Sequence, residues 1–539
     1  MKKHLITFLT LLFVLPTLWA GNFTYHITQE QTISEIQAEL QTAINNNEQV
    51  IVVGSKTDAD QTLALEIATG KNVVWQAVYQ SNPSLEIVTL ISFSGAGTFE
   101  VAGGTLITKN ANAIEAADVG STVIVSGNGT VLTSGTVVHP FGPEVHAILT
   151  YGNVEIKDEA NVCATEGEVI VLLSDNAIIT VSGGSVTTTK GSAIITIGKN
   201  AKVYVSGGYV CNDADDSLFY AAISAYDPQP YTETLVHVSG NGKVEAKGYY
   251  CAIYTTGSVI VSENAQVWNS TELNNNYSVI EAQFEVYITG NAQVSTRNKF
   301  AVFCYKNVYV SGNSIVEAKD NAIAISTTQT GKIEIKDKAQ ILAGNNYAIS
   351  TNISVPSFFK VQGGVVFSYG KKISDVINYQ QFLGPTGTGV VLAWNNKAGN
   401  THYEKQSKED IFVWPATATA HWDVIGGKAG IYYANGTNTG FIPLEVSVLS
   451  VSVPAAAGFE VWPNPTTGEF TIDNGQLTMD NGQWTINSIG VFDVYGRKQK
   501  SRRAEKQKGE GEVVLNISHL PAGVYFLKVG NGVKRVVKL

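Results

Sequence analysis

The chain runs to 539 residues with a formal net charge of −10, 44% apolar and 15% charged residues, 51 glycines and two methionines. So apolar a composition excludes a disordered polypeptide, and the acidic excess speaks against a nucleic-acid partner, because neutralising phosphates takes clustered Lys and Arg. Many glycines with few charges fit a β-rich fold of many short strands.

At the N-terminus Lys2 and Lys3 precede an apolar run from Leu5 to Leu15, and Leu18-Trp19-Ala20 supplies a small residue for cleavage. Residues 1–20 therefore read as a secretory signal peptide. No later stretch has the ~20 apolar residues of a membrane-spanning helix. Residues 21–90 are expected to form an N-terminal cap and first coils: Ile33, Ile36, Leu40, Ala43 and Ile44 share one helical face, with strands at 50–53 and 73–75. A helix there would cover the apolar interior and unpaired edge of an open first coil.

Residues 91–393 are an internal repeat. Each unit opens with an apolar-x-apolar strand, at Ile91, Val123, Val154, Ile179, Val203, Val236, Val259, Val286, Val308 and Ile333. A second apolar position follows (Phe99, Val131, Val162 and onwards to Ile341), then a pair such as Ala113-Ile114, Ala147-Ile148, Ala322-Ile323 or Ala348-Ile349. Three apolar columns separated by turn residues describe a coil of three short strands, stacked on its neighbours at ~4.8 Å. The expected fold class is all-β, a right-handed parallel β-helix similar to the pectin-lyase-like solenoids. A propeller blade needs four strands in ~40 residues, more than this period of about 27 allows.

The longest insertions, 133–146 and 212–220, have to be loops. Cys163 and Cys211 sit two coils apart with Thr187 between them, ~9.6 Å at ~4.8 Å per coil, beyond the ~7 Å reach of a disulfide. Cys251 and Cys304 are also two coils apart, so four reduced cysteines are expected. Asp213, Asp215 and Asp216 form a carboxylate cluster suited to Ca²⁺, set against the plainer reading of a solvated acidic turn. Asp216-Ser217-Leu218 also resembles the O-glycosylation tripeptide of exported Bacteroidetes proteins. His139 and His146 share one insertion without a metal-ligand partner at sequence spacing and read as a solvated loop pair; His237 lies on a strand.

Residues 394–449 gather Trp394, Trp414, Trp422, Tyr432 and Tyr433 into a small β module, and 450–458, containing V-P-A-A-A-G, have linker composition. From Phe459 the sequence reads F-E-V-W-P-N-P-T-T-G-E-F-T-I, then V-F-D-V-Y-G-R (491–497), L-N-I-S-H-L-P-A-G-V-Y-F-L-K-V (515–529) and a terminal K-R-V-V-K-L. Pro463 and Pro465 fix a rigid turn that Gly468 closes, and the alternating runs after it predict short antiparallel strands in an immunoglobulin-like β-sandwich. D-N-G-Q-L-T-M and D-N-G-Q-W-T-I (473–486) lengthen one hairpin, and 498–508 is expected as a basic loop.

In order and content these blocks over 459–539 resemble the C-terminal sorting domain of type IX secretion cargo from Bacteroidetes. The matching positions are Pro463, Asn464, Pro465, Gly468, Asp493, Gly496, Arg497, Leu520, Pro521, Gly523, Tyr525, Lys528 and Lys538. The resemblance implies export through the type IX secretion machinery, removal of the tail by a surface sortase near 453–458, and attachment to anionic lipopolysaccharide or release. The coil body, with Arg297 its one arginine and mostly short turns, points to a binding, adhesion or structural surface with a host or glycan ligand. The alternative is a polysaccharide lyase or glycoside hydrolase working from the loops 133–146 and 212–220. The sequence marks no catalytic residue, and the one cofactor its carboxylates suggest is Ca²⁺.

Overall fold

A computed structural model describes residues 22–84, 88–135, 138–139, 142–143, 145–213, 220–228, 233–248, 250–270, 277–297, 299–328, 331–351, 358–379, 381–395, 411–425, 428–443, 460–462, 466–467, 469–473, 489–493, 498–499, 502–503, 512–521, 523–529 and 532–538. The chain divides into two compact units, 1–398 with 404–444 and 399–403 with 445–539.

The first unit is a parallel β-solenoid of about 13 turns, built from three faces here called A, B and C. On face A, Val123 pairs with Val154, then Ile179, Val203, Val236 and Val259 in unbroken parallel register. Face B stacks Val131, Val162, Val186, Val210 and Val244 in the same way. Face C carries Ile114, Ile148, Ile170, Ile194, Ile223, Ile253 and Ile280. All three columns point inward and join one continuous core from Tyr25 to Ala393. β-Branched side chains suit such columns because their restricted χ1 packs well on a pleated surface.

Three of the expected column positions are corrected by the register. Ile91 lies on face C, pairing with Leu63 and Ile114, while Phe99 pairs with Val123 on face A and Leu106 with Val131 on face B. The eight-residue step from Ile91 to Phe99 copies the step from Val123 to Val131, so sequence spacing alone placed this unit one strand out of phase. Ala322-Ile323 is likewise two residues early: Ile325 is the partner of Val302 and Ile349. The alternation A-I-A-I made either pair admissible, and the neighbouring coils choose the second.

Coils begin earlier than the repeat pattern and end later. Asn22–Ile27 pairs with Gln49–Ala59, and the helix α1, Ile33–Asn46, connects them. Thr32 and Glu35 form a capping box at its start, and Ile33, Ile36, Leu40, Ala43 and Ile44 are buried in the solenoid core. At the other end Val390–Trp394 continues face B, and Ile411–Trp414 adds to it antiparallel. A three-stranded antiparallel sheet follows, Thr419–Ile425, Lys428–Asn435 and Asn438–Pro443. The outward positions of face B turn apolar at Leu342, Phe367 and Leu392, which share a second core with Ile431, Tyr433 and Ile442 of that sheet. Asn438 ties the sheet down by donating to the carbonyls of Gly364 and Thr388, both at 2.8 Å.

The second unit holds two four-stranded antiparallel sheets, Glu460–Trp462, Glu469–Asp473, Glu512–Asn516 and Arg502–Arg503 in one, and Lys498–Gln499, Ile489–Asp493, Gly523–Val529 and Gly532–Lys538 in the other. Val461, Leu515 and Ile517 pack with Val491, Tyr525, Leu527 and Val536 in a single small core. The segment expected as a basic loop thus carries two short strands, one in each sheet. Residues 474–488, including most of the near-duplication, lie outside the described residues.

Candidate functional site

In the tail, Leu520, Pro521, Gly523, Tyr525 and Lys528 follow one another into the strand Gly523–Val529. Asp493 lies opposite Tyr525, and Lys538 opposite Gly523. The Tyr525 ring is buried, and its hydroxyl donates to the Pro521 carbonyl at 2.8 Å, so the L-P-A-G-V-Y block closes on itself as a corner. Leu520 packs against the same core. Pro463, Asn464, Pro465, Gly468, Gly496 and Arg497 lie outside the described residues.

In the solenoid, Asp213 is exposed and its Oδ2 lies 3.4 Å from Lys247 Nζ; Asp215, Asp216 and the tripeptide 216–218 lie outside the described residues. Among the described residues no group of three His, Cys, Asp or Glu could hold a metal ion. All four cysteines are free thiols, and Thr187 does stand between Cys163 and Cys211 in the face B ladder. The ring of His237 sits on the outer side of face A, 2.9 Å from Ser262 Oγ and edge-on to Tyr204.

His146 corrects its expectation. It is not a solvated loop residue but the first residue of the face C strand His146–Thr150, and its register partner in the next coil is Glu168. His146 Nδ1 lies 3.2 Å from Glu168 Oε2, yet it makes no hydrogen bond. Burial pushes the His146 ring down to about 4 and the Glu168 carboxyl up to about 7. The backbone N–H of His146 donates to Asn112 Oδ1 at 2.9 Å, which fixes the strand start beside the insertion.

The outer faces between about residues 200 and 310 carry aromatic rings at coil spacing. On face A, Tyr287 stacks on Tyr309 with centroids 4.8 Å apart, and on face B Tyr209 stacks on Trp268 at 6.4 Å. The Tyr209 hydroxyl donates to Glu245. On face C, Tyr254, Glu281 and Phe303 are consecutive register partners. Tyr250 lies 4.7 Å from Tyr277 and 6.1 Å from Tyr254, and Phe303 lies 5.5 Å from Phe300 and 5.0 Å from Tyr305.

Compared with known families, residues 460–539 match the model of the secretion system C-terminal sorting domain. The tail is that of type IX secretion cargo. The protein is exported by that system to the cell surface or the extracellular space, and the sorting domain implies contact with the type IX machinery. No curated protein and no solved structure matches the chain.

For an exported cargo the outward positions meet the surroundings, and the inward apolar columns alone do not reveal them. Their signal is present in the repeat. The residue after Ile223, Ile253, Ile280 and Val302 is Ser224, Tyr254, Glu281 and Phe303. The buried pair is found in the same way, two residues before Ile148 and Ile170 at His146 and Glu168. Both follow from aligning the coils, whereas proximity in sequence conceals them.

Proposed function

We propose that the protein is a surface-attached or released binding protein, of adhesin or structural type, in a Gram-negative bacterium of the Bacteroidetes kind. On this reading a signal peptide at 1–20 takes the chain across the inner membrane. The tail, as an immunoglobulin-like sandwich, then directs outer-membrane passage and is removed by a sortase near 453–458. The passenger is joined to anionic lipopolysaccharide or set free. The passenger is a right-handed β-helix whose first coil is capped by α1, and it meets host or glycan ligands along its outer faces. The observation that carries the reading is the set of partly exposed aromatic rings repeated from coil to coil, since rings gathered into contiguous outer patches, unlike singly scattered ones, mark interaction surfaces.

Deleting 459–539 and fractionating the cells tests it. The truncated passenger should remain in the periplasm, and surface material from the intact protein should end near 453–458 by mass spectrometry. Surface display of the truncated chain would overturn the export route. A glycan and host-protein array with the purified passenger tests binding itself.

The second reading is an enzyme that cleaves polysaccharides beside the insertion 133–146. What favours it is the buried His146–Glu168 pair, a carboxyl pushed up to about 7 next to an imidazole, as in a general acid. Release of reducing or unsaturated ends from a polysaccharide, abolished in Glu168→Gln, would replace the binding reading by this one.

A further inference from the structure

On face C one carboxyl is bracketed by two groups of rings. Glu281 sits in the outward column between Tyr254 of the preceding coil and Phe303 of the following coil. Tyr250, Tyr254 and Tyr277 gather on one side of it, and Phe300, Phe303 and Tyr305 on the other. Tyr254 and Phe303 are two coils apart, ~9.6 Å along the solenoid axis. Tyr305 is 42% exposed, and the other rings are half-buried, so the patch combines apolar faces with an open rim.

The polar groups converge on the same point. Burial first, and then the charge of Glu281, hold the phenols of Tyr254 and Tyr305 above their ordinary value, which places both within electrostatic reach of the carboxyl. Cys251 Sγ approaches Glu281 Oε2 at 3.9 Å. Burial raises the Glu281 carboxyl above its ordinary value, so it suits a cationic ligand less well than an exposed carboxylate would. Lys299, the nearby cation, has its Nζ 5.3 Å from the centre of the Phe300 ring. A polyanion is disfavoured too, by the net charge of −10 and by any ionised fraction of Glu281. What remains is a ligand that is neutral, offers flat C–H faces to the rings and presents hydroxyls to the phenols and the carboxyl.

We propose that the outer surface of face C around Tyr254, Glu281 and Phe303 is a binding subsite for a neutral, extended pyranose chain lying along the solenoid axis. An equatorially linked chain repeats its rings at close to the coil interval, so successive sugars meet successive coils. This rests on the binding reading above and adds to it the place and the ligand class.

Calorimetry on the purified full chain tests the subsite with cellohexaose as the probe and polygalacturonate as the charged comparison. Cellohexaose should bind, and polygalacturonate should bind more weakly or not at all. Tyr305→Ala and Phe303→Ala should each weaken cellohexaose binding about tenfold, the order expected from one lost aromatic contact. Val119→Ala, at an exposed side chain outside the aromatic region, should leave it unchanged, and circular dichroism melts should show every variant folded. Cellohexaose binding that survives both face C substitutions overturns the subsite while leaving a binding protein. Tighter binding of polygalacturonate overturns the ligand class. Failure of cellohexaose to bind while the array shows other ligands also sinks the inference alone, whereas an array with no ligand at all sinks the binding reading with it.

Discussion

Asp337 reaches back across one coil to Gly312, its Oδ2 accepting the Gly312 amide at 3.0 Å. Both residues are left-handed, with φ of 56° and 71°, at the same turn between faces A and B. Asp158 and Gly127 repeat the relationship at 2.9 Å, as do Glu263 and Gly240. An acidic residue can thus occupy a glycine-type position when its carboxylate caps the turn beneath it. Side chains also stack beside these turns, Asn313 donating to Asn291 at 3.1 Å and Asn291 to Asn264 at 3.0 Å.

The pair yields an ordered set of melting temperatures. Asp337→Ala loses the charged hydrogen bond and keeps the left-handed cost, so it should destabilise by about 1–2 kcal/mol. Asp337→Gly loses the same bond but relieves the backbone, and should melt near the parent. Gly312→Ala should be worst, at about 2 kcal/mol or more, because its new Cβ would stand 2.7 Å from the Gly290 nitrogen and oxygen. If Asp337→Gly melts as low as Asp337→Ala, the bond rather than the backbone governs the turn.

The parallel coils were legible in the sequence because an inward column needs one kind of residue at one position in every turn, and Val, Ile and Ala repeat there. α1 was legible for the same reason, at a helical period. The phase of a coil was not legible where two steps had equal length, as at Ile91 and Phe99. Nor was the covering of face B by the three-stranded sheet, although Leu342, Phe367 and Leu392 on outward positions are its trace. Tyr254–Glu281–Phe303 occupies outward positions, where burial constrains residue type little, and His146–Glu168 is a buried pair at strand starts outside the repeating columns, so both emerge only once the register is known.

Val205 and Val238 are register partners on face A, both fully buried. Val238→Asp places a carboxylate with no partner in the core and should cost several kcal/mol, about 3 or more. Val238→Ile adds one methylene and should cost about 1–2 kcal/mol. Thermal melts followed at far-UV wavelengths separate the two, and equal melting would mean that this column is not the core.

Tyr525→Phe removes the hydroxyl that satisfies the Pro521 carbonyl while keeping the buried ring. The tail should lose about 1 kcal/mol, the net worth of one such bond. The solenoid lies in a different compact unit, so its own melting transition should not move. Limited proteolysis of the tail checks the prediction: faster cleavage of 460–539 in Tyr525→Phe is expected, and an unchanged rate would show that the corner contributes nothing.

The His146–Glu168 pair should make stability respond to pH in opposite ways when each partner is removed. His146, its ring pushed from 6.5 down to about 4 by burial, binds its proton more weakly folded than unfolded, so its contribution rises with pH between those values. Glu168, raised from 4.5 to about 7 by burial, keeps its proton when folded, so its contribution falls as pH rises across that range. Between about 4.5 and 6.5 the two slopes oppose each other, and the parent melting temperature should change little from this source. Glu168→Gln removes the carboxyl's falling contribution, so its melting temperature should rise relative to the parent from pH 4.5 to 7. His146→Gln removes the histidine's rising contribution, so its melting temperature should fall relative to the parent from pH 4 to 6.5. Both variants tracking the parent across that range would mean that burial does not set the protonation of either group.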